Sequence, residues 1–255
     1  MLAKTGSVNG RITWLALAAL FSLALERPAM AQASLGNQAA DTRAASSVNA
    51  LPTNARELNL KGIDLQSSGK LKEAVECYRR AIRLNPAAAG YHNNLALALK
   101  DLDQCPAAES EARIALKLRP QRADYHFNLG IILQREKKLN EAESAFRQAI
   151  QLDPADTDSH FRLAQILLAS EGATSNTGSI NSNDAEQEIK LALMLKPDRS
   201  EYCELLGDIY LKAKNLDEAF NQYKKVVEIR GYTAATIPGE LRAKIDFIKA
   251  AKPAP

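Results

Sequence analysis

The sequence predicts an all-α protein, a right-handed α-solenoid of about five stacked helix pairs closed by a C-terminal capping helix. Three observations carry this expectation. Five residue ladders share one period: Pro86, Pro120 and Pro154, then Ala74, Ala108 and Ala142, Ala81, Ala115 and Ala149, Leu95, Leu129 and Leu163, and His92, His126 and His160 all recur every 34 residues. Within each period the apolar residues follow helical spacing, as in Leu71, Val75, Tyr78 and Ile82, or Leu139, Ala142, Phe146 and Ala149. Composition over the 255 residues is 46% apolar, 25% charged and only 5% aromatic, which suits a folded chain but not an all-β one. Units of two helices each bury their apolar faces by stacking on neighbours, so the array is expected to be nearly additive in stability.

The first 33 residues read as an address and not as part of the fold. Lys4 and Arg11 precede an apolar run, Ile12 to Leu25, followed by Glu26-Arg27-Pro28 and the small-residue stretch around Ala31 and Ala33. That order is a secretory signal peptide of Sec type, with cleavage after Ala31 or Ala33. A helix over the run would rise about 21 Å, short of a ~30 Å hydrocarbon core, so an uncleaved anchor is the weaker reading. Either way the positive charges stay inside and the remainder is exported, to the periplasm or the outside of a bacterium, with an inner-membrane anchor as the alternative. Residues 34–54 are rich in Ala, Ser, Asn, Gln and Thr, too poor in large apolar groups for a core, and are expected to form a disordered tether.

The array occupies residues 55–233, with units at 55–88, 89–122, 123–156, 157–199 and 200–233. The fourth unit starts in register, but Ala185 and Pro197 follow Ala142 and Pro154 by 43 residues, so nine have been inserted between its helices. They fall near 171–183, a Gly/Ser/Thr/Asn tract expected to be loop, with Asn183 and Glu186 in capping-box spacing at its end. Such a loop costs on the order of 1 kcal/mol in closure entropy. It is either a tolerated extension or an element that touches a partner. Small residues at Gly62, Ala96, Gly130, Ala164 and Gly207 let paired helices approach closely. Residues 234–255 supply a capping helix and tail, with Leu241, Ile245 and Ile248 as its apolar face.

The units resemble tetratricopeptide repeats. The third matches best, with Leu129-Gly130, Leu133, Ala142, Phe146, Ala149 and Pro154 in the family's places, while the fifth has Gly231 where the closing Pro is usual. The resemblance implies that the first helix of each pair lines a concave binding surface. Its inner positions here are Asn93, Asn94, Leu97 and Lys100, then Phe127, Asn128, Ile131 and Arg135, then Phe161, Arg162 and Gln165. Stacked Asn94 and Asn128 resemble an amide ladder able to hold an extended backbone. Phe127 and Phe161 are either anchors for apolar partner side chains or packing against their own neighbours. The five positions of a chaperone-type carboxylate clamp hold Asn59, Ile63, Asn94, Asp124 and Asn128, leaving it without a cation.

No HExxH, paired CxxC, Gly-rich phosphate loop or GxSxG occurs, and no nucleophile with a matching base can be identified, so no enzyme activity and no cofactor are expected. The histidine ladder is not a metal strip, because equivalent helices ~8–10 Å apart hold their imidazoles too far apart for ~2.0–2.1 Å zinc bonds. It is expected to serve packing. Cys77, Cys105 and Cys203 are read as small core residues, a Cys77–Cys105 bridge being the one open pairing. Formal charge is +3, and removing the leader with Lys4, Arg11, Arg27 and Glu26 leaves 30 basic and 29 acidic residues, or +1. That balance excludes the excess basic charge of nucleic-acid binding, RNA included. The expected function is an exported, non-catalytic scaffold that holds a protein or peptide segment in its groove, in bacterial envelope assembly or maturation. The alternative is a membrane-anchored structural subunit of an envelope complex. A membrane is a partner only if the N-terminal segment stays uncleaved.

Overall fold

The computed structural model describes residues 54–170 and 180–251. The leader with Ala31 and Ala33, the tether up to residue 53 and the stretch 171–179 lie outside the described residues. Among the described residues there are eleven α-helices and no strand. They run α1 (Ala55–Ser67), α2 (Leu71–Leu84), α3 (Ala89–Asp101), α4 (Cys105–Leu118), α5 (Ala123–Arg135), α6 (Leu139–Leu152), α7 (Thr157–Ser170), α8 (Ile180–Leu195), α9 (Ser200–Lys212), α10 (Leu216–Arg230) and α11 (Gly239–Ala251). Consecutive helices pair as α1/α2, α3/α4, α5/α6, α7/α8 and α9/α10, each pair stacks on the next, and the first helices α1 and α3, α3 and α5, and α7 and α9 touch one another. This is the right-handed α-solenoid of helix pairs, closed by α11. No described helix is long and apolar enough to cross a membrane.

The turn inside a pair is closed by a recurring backbone hydrogen bond. After α1, α3, α5 and α9 the chain passes through a left-handed residue, Gly69, Asp103, Lys137 or Lys214. The next N–H, from Lys70, Gln104, Lys138 or Asn215, reaches back to the carbonyl of Leu65, Leu99, Leu133 or Tyr210 at 2.8–2.9 Å. This Schellman closure satisfies carbonyls that the helix end would otherwise orphan. Between pairs the second helix ends on an alanine carbonyl, Ala81, Ala115, Ala149 or Ala192, and a proline follows that cannot continue it. At Gly231 the chain uses a left-handed residue instead, at φ 64°.

Small residues on first helices answer large ones on second helices. A Cβ placed on Gly62, Gly130 or Gly207 would lie 2.5–2.7 Å from the nearest ring atom of Tyr78, Phe146 or Tyr223. All three rings are fully buried. The corresponding positions in the other units hold Ala96 with Ala112 and Ala164 with Ile189, so the first helix carries Gly only where an aromatic ring faces it.

Two expectations change. Of the tract expected as loop near 171–183, residues 171–179 lie outside the described ones and the rest is helical, because α8 begins at Ile180, so Asn183 lies in its first turn and is not its cap. Beyond Gly178 nothing in the sequence breaks a helix, so one forms as soon as it can, and α8 reaches 16 residues where α2, α4 and α6 have 14. The histidines do more than pack. In each of His92, His126 and His160, Nε2 faces the carbonyl of the preceding turn's proline, Pro86, Pro120 or Pro154, at 2.9–3.1 Å. At His92 and His160, Nδ1 faces a carboxylate of the second helix, Glu111 at 2.6 Å and Glu188 at 2.5 Å. With an oxygen facing both ring nitrogens, His92 and His160 each tie the turn before a unit to that unit's second helix. Glu188 holds His160 above the usual histidine value, against the opposing pull of burial. Ala145 stands where Glu111 and Glu188 do, so the third unit keeps only the proline bond.

The three cysteines are free and buried, and burial pushes each thiol up. Leu241, Ile245 and Ile248 of α11 are buried against the fifth pair, while Pro238 just ahead of the helix accepts the Arg242 N–H at 2.9 Å.

Candidate functional site

First helices show a repeated division of labour. Positions such as Leu95, Leu99, Leu129, Leu133, Leu163 and Leu167 are buried, whereas Asn94, Leu97, Lys100, Asn128, Ile131, Phe161, Arg162 and Gln165 remain half-buried. A helix repeats every 3.6 residues, so these half-buried positions form one stripe per helix and, across stacked helices, a wall.

The amides in this wall pair obliquely. Asn94 Nδ2 donates to Asn59 Oδ1 at 2.9 Å, and Asn128 Nδ2 donates to Asn93 Oδ1 at 2.9 Å. Asn94 and Asn128 therefore do not bond to one another as rungs of a single ladder. Each reaches to the residue one place earlier in the preceding unit. Asn93, at 8% exposure, serves as an acceptor inside the wall and offers it no surface.

The aromatic residues are tied into the core on one side. Phe127 lies 5.7 Å from Phe146, and Phe161 lies 5.0 Å from Tyr202, centroid to centroid. Both remain half-buried, so each ring offers its other side to the wall. Lys100 pairs with Asp101 at 3.0 Å, and Asp101 also accepts from Gln66 at 2.9 Å. Arg135 is exposed and pairs with Asp103 at 3.0 Å. Arg162 makes no ion pair among the described residues. It donates to Gln165 Oε1 at 3.1 Å, and its guanidinium carbon sits 5.9 Å from the Phe161 ring centre.

Both ends of the wall extend past the inner positions expected of the middle units. At the first unit Leu60 and Ile63 are 50% and 43% exposed, in line with Asn94 and Leu97. At the fifth, Glu204 and Asp208 occupy the equivalent stripe and are met by Lys244 from α11, at 3.6 and 2.8 Å. Tyr223 donates to Asp208 at 2.6 Å, and its hydroxyl is held well above the ordinary tyrosine value by burial and by that carboxylate. Burial opposes the charge on Lys244, yet Asp208 and Glu204 outweigh it and leave the ammonium above its usual range. The acidic pair at groove positions and a lysine one turn from Leu241 were the available signal. Away from the wall, Glu109 is pulled down to about 2, chiefly by Lys138 at 2.6 Å and also by Arg113 at 2.7 Å. Among the described residues no group of three His, Cys, Asp or Glu side chains is placed to hold a metal ion.

Three stretches match sequence models of known repeats: residues 65–103 as TPR repeat, and 123–156 and 200–232 as tetratricopeptide repeat. No curated protein matches the chain. Similar solved structures include MamA from Desulfovibrio magneticus RS-1, at 19% identity and TM-score 0.61 over 71% of this chain and 97% of that one. PilF of Pseudomonas aeruginosa is similar at 19% identity and TM-score 0.62, covering 77% of this chain and 89% of its own. YrrB, described as a TPR protein with an unusual peptide-binding site, is similar at 17% identity and TM-score 0.60, covering 81% and 97%.

Proposed function

We propose that this tetratricopeptide-repeat chain is an exported, non-catalytic scaffold that holds an extended or helical segment of a partner protein against the wall of its first helices. The observation that carries the reading is the stripe itself. Apolar and amide side chains stand half-buried there in the second, third and fourth units, joined by the cations Lys100 and Arg162, and exposed Leu60 and Ile63 continue the stripe in the first, while the same helices bury their opposite faces. Five units at ~10 Å each make a wall about 50 Å long, enough for about 15 extended residues. YrrB, whose structure carries a peptide-binding site, has the same fold. Export rests on the Lys4/Arg11, Ile12–Leu25 and Ala31/Ala33 order at the N-terminus, and the setting in a bacterial envelope assembly or maturation system rests on that leader.

The test has two parts. A photo-crosslinking residue at Gln134 or Gln165 should trap one partner in cells, while the same residue at exposed Gln151 or Lys224 should not. Equal trapping from both sets overturns the binding wall. Mass spectrometry of the purified protein should find an N-terminus after Ala31 or Ala33, and an intact Met1 in the envelope fraction would support the anchored alternative.

A further inference from the structure

The oblique amide pairs follow a rule that stops in the middle of the wall. In the second and third units the side chain in the rung position, Asn94 or Asn128, donates to an acceptor one place earlier in the preceding unit, Asn59 or Asn93. The next donor in the series is Arg162, and the residue that should accept from it is Phe127, which has no acceptor. The third rung is broken on its acceptor side only. A guanidinium offers five N–H donors in a planar fork, and Arg162 spends one of them on a neutral amide, Gln165. Acidic side chains of the flanking first helices are engaged elsewhere. Asp124 pairs with Arg122, Asp158 accepts the Tyr202 hydroxyl, Glu201 pairs with Arg199, and Glu204 and Asp208 are held by Lys244.

We propose that Arg162 is the seat for a carboxylate of the partner segment, an Asp or Glu side chain that completes the third rung while a neighbouring apolar side chain lies on Phe127 and Ile131. This rests on the binding-wall reading above and adds the partner's chemistry to it. Charge complementarity selects a carboxylate over a neutral carbonyl, because a half-buried cation gains most from an acceptor that neutralises it bidentately.

The experiment uses the full chain and a displayed library of random 12-residue peptides. Enriched peptides should share an Asp or Glu beside a large apolar residue. For a synthetic copy of one, Arg162→Gln should weaken binding about 10-fold or more, the peptide's own Glu→Gln change should do the same, and the two together should cost no more than either alone. Arg162→Lys should fall between, having charge without the fork. An unchanged melting temperature in each variant keeps the comparison one of binding. Peptides that lose affinity with Ile131→Ser but not with Arg162→Gln, or that carry no carboxylate, overturn the seat and leave the wall intact. A library that yields no binder, or only binders indifferent to both substitutions, overturns the wall and the seat together.

Discussion

Replacing Gly130 by Ala should destabilise the chain, although alanine is the better helix former. A Cβ at this position lies 2.7, 2.8 and 2.9 Å from three ring atoms of Phe146, where unstrained carbon contacts sit at ~3.5–4.0 Å. The ring would have to retreat by roughly 1 Å, yet it is fully buried. Overpacking of this kind costs about 1–3 kcal/mol, and helix propensity returns about 1 kcal/mol. A net loss of up to about 2 kcal/mol follows, read as a lower urea midpoint and faster hydrogen exchange in α5. The fourth unit supplies the rescue, since it pairs Ala164 with Ile189 at the same two positions. Phe146→Ile alone opens space, so the double variant Gly130→Ala/Phe146→Ile should be more stable than the sum of the singles by at least about 1 kcal/mol. A Gly130→Ala protein more stable than the parent, or strictly additive substitutions, would refute the packing account.

Two further perturbations follow from the turns and the histidine ties. An unfolded histidine titrates at about 6.5 and His160 is raised in the fold by Glu188, so the stability from this pair is fully present below about 6.5 and drains as pH climbs through the higher folded value. Glu188→Ala, which reproduces Ala145 of the third unit, should cost about 1–3 kcal/mol at pH 6. It should also flatten the fall in urea midpoint between pH 6 and pH 9, and an unchanged slope would show that the imidazolium is not formed. Lys137→Gly should stabilise by about 0.5–1 kcal/mol, because relief of a left-handed backbone at φ 61° exceeds the entropy glycine adds to the unfolded chain. A lowered melting temperature would contradict this.

Helix pairing was legible because its causes recur. A proline every 34 residues marks each stop, and alanine and leucine ladders mark each buried face. What lay hidden depends on contacts between residues far apart in sequence. The amide pairs join residues 35 apart, one more than the period, so no search at the repeat length itself would align Asn94 with Asn59. The histidine ladder was visible, but its function required the proline carbonyl, which no side-chain pattern displays. The start of α8 was misplaced because a capping-box spacing at Asn183 imitates a helix start that the backbone makes at Ile180.

Strictly repeated residues are accounted for by repeated contacts, so binding specificity must lie where the units differ from one another. The proline stops, the buried alanine and leucine ladders and the histidine ties make up that repeated set. Three rows of the wall do not repeat. One runs Asn59, Asn93, Phe127, Phe161, Glu204, the next Leu60, Asn94, Asn128, Arg162, Leu205, and the third Ile63, Leu97, Ile131, Gln165, Asp208. Read from first unit to fifth, the third row passes from apolar through amide to acid, and Lys244 neutralises its acidic end from α11. A partner lying along the wall therefore meets apolar and amide surface first and a single unneutralised cation in the fourth unit. Beyond it lie Glu204 and Asp208, whose two charges the one ammonium of Lys244 offsets only in part, so an acidic residue of the partner is disfavoured there. This asymmetry fixes the direction in which a segment can lie. Its apolar stretch must face the first three units and its acidic residue the fourth, since the reverse orientation would set a carboxylate among Leu60, Ile63 and Leu97 and leave Arg162 unmatched.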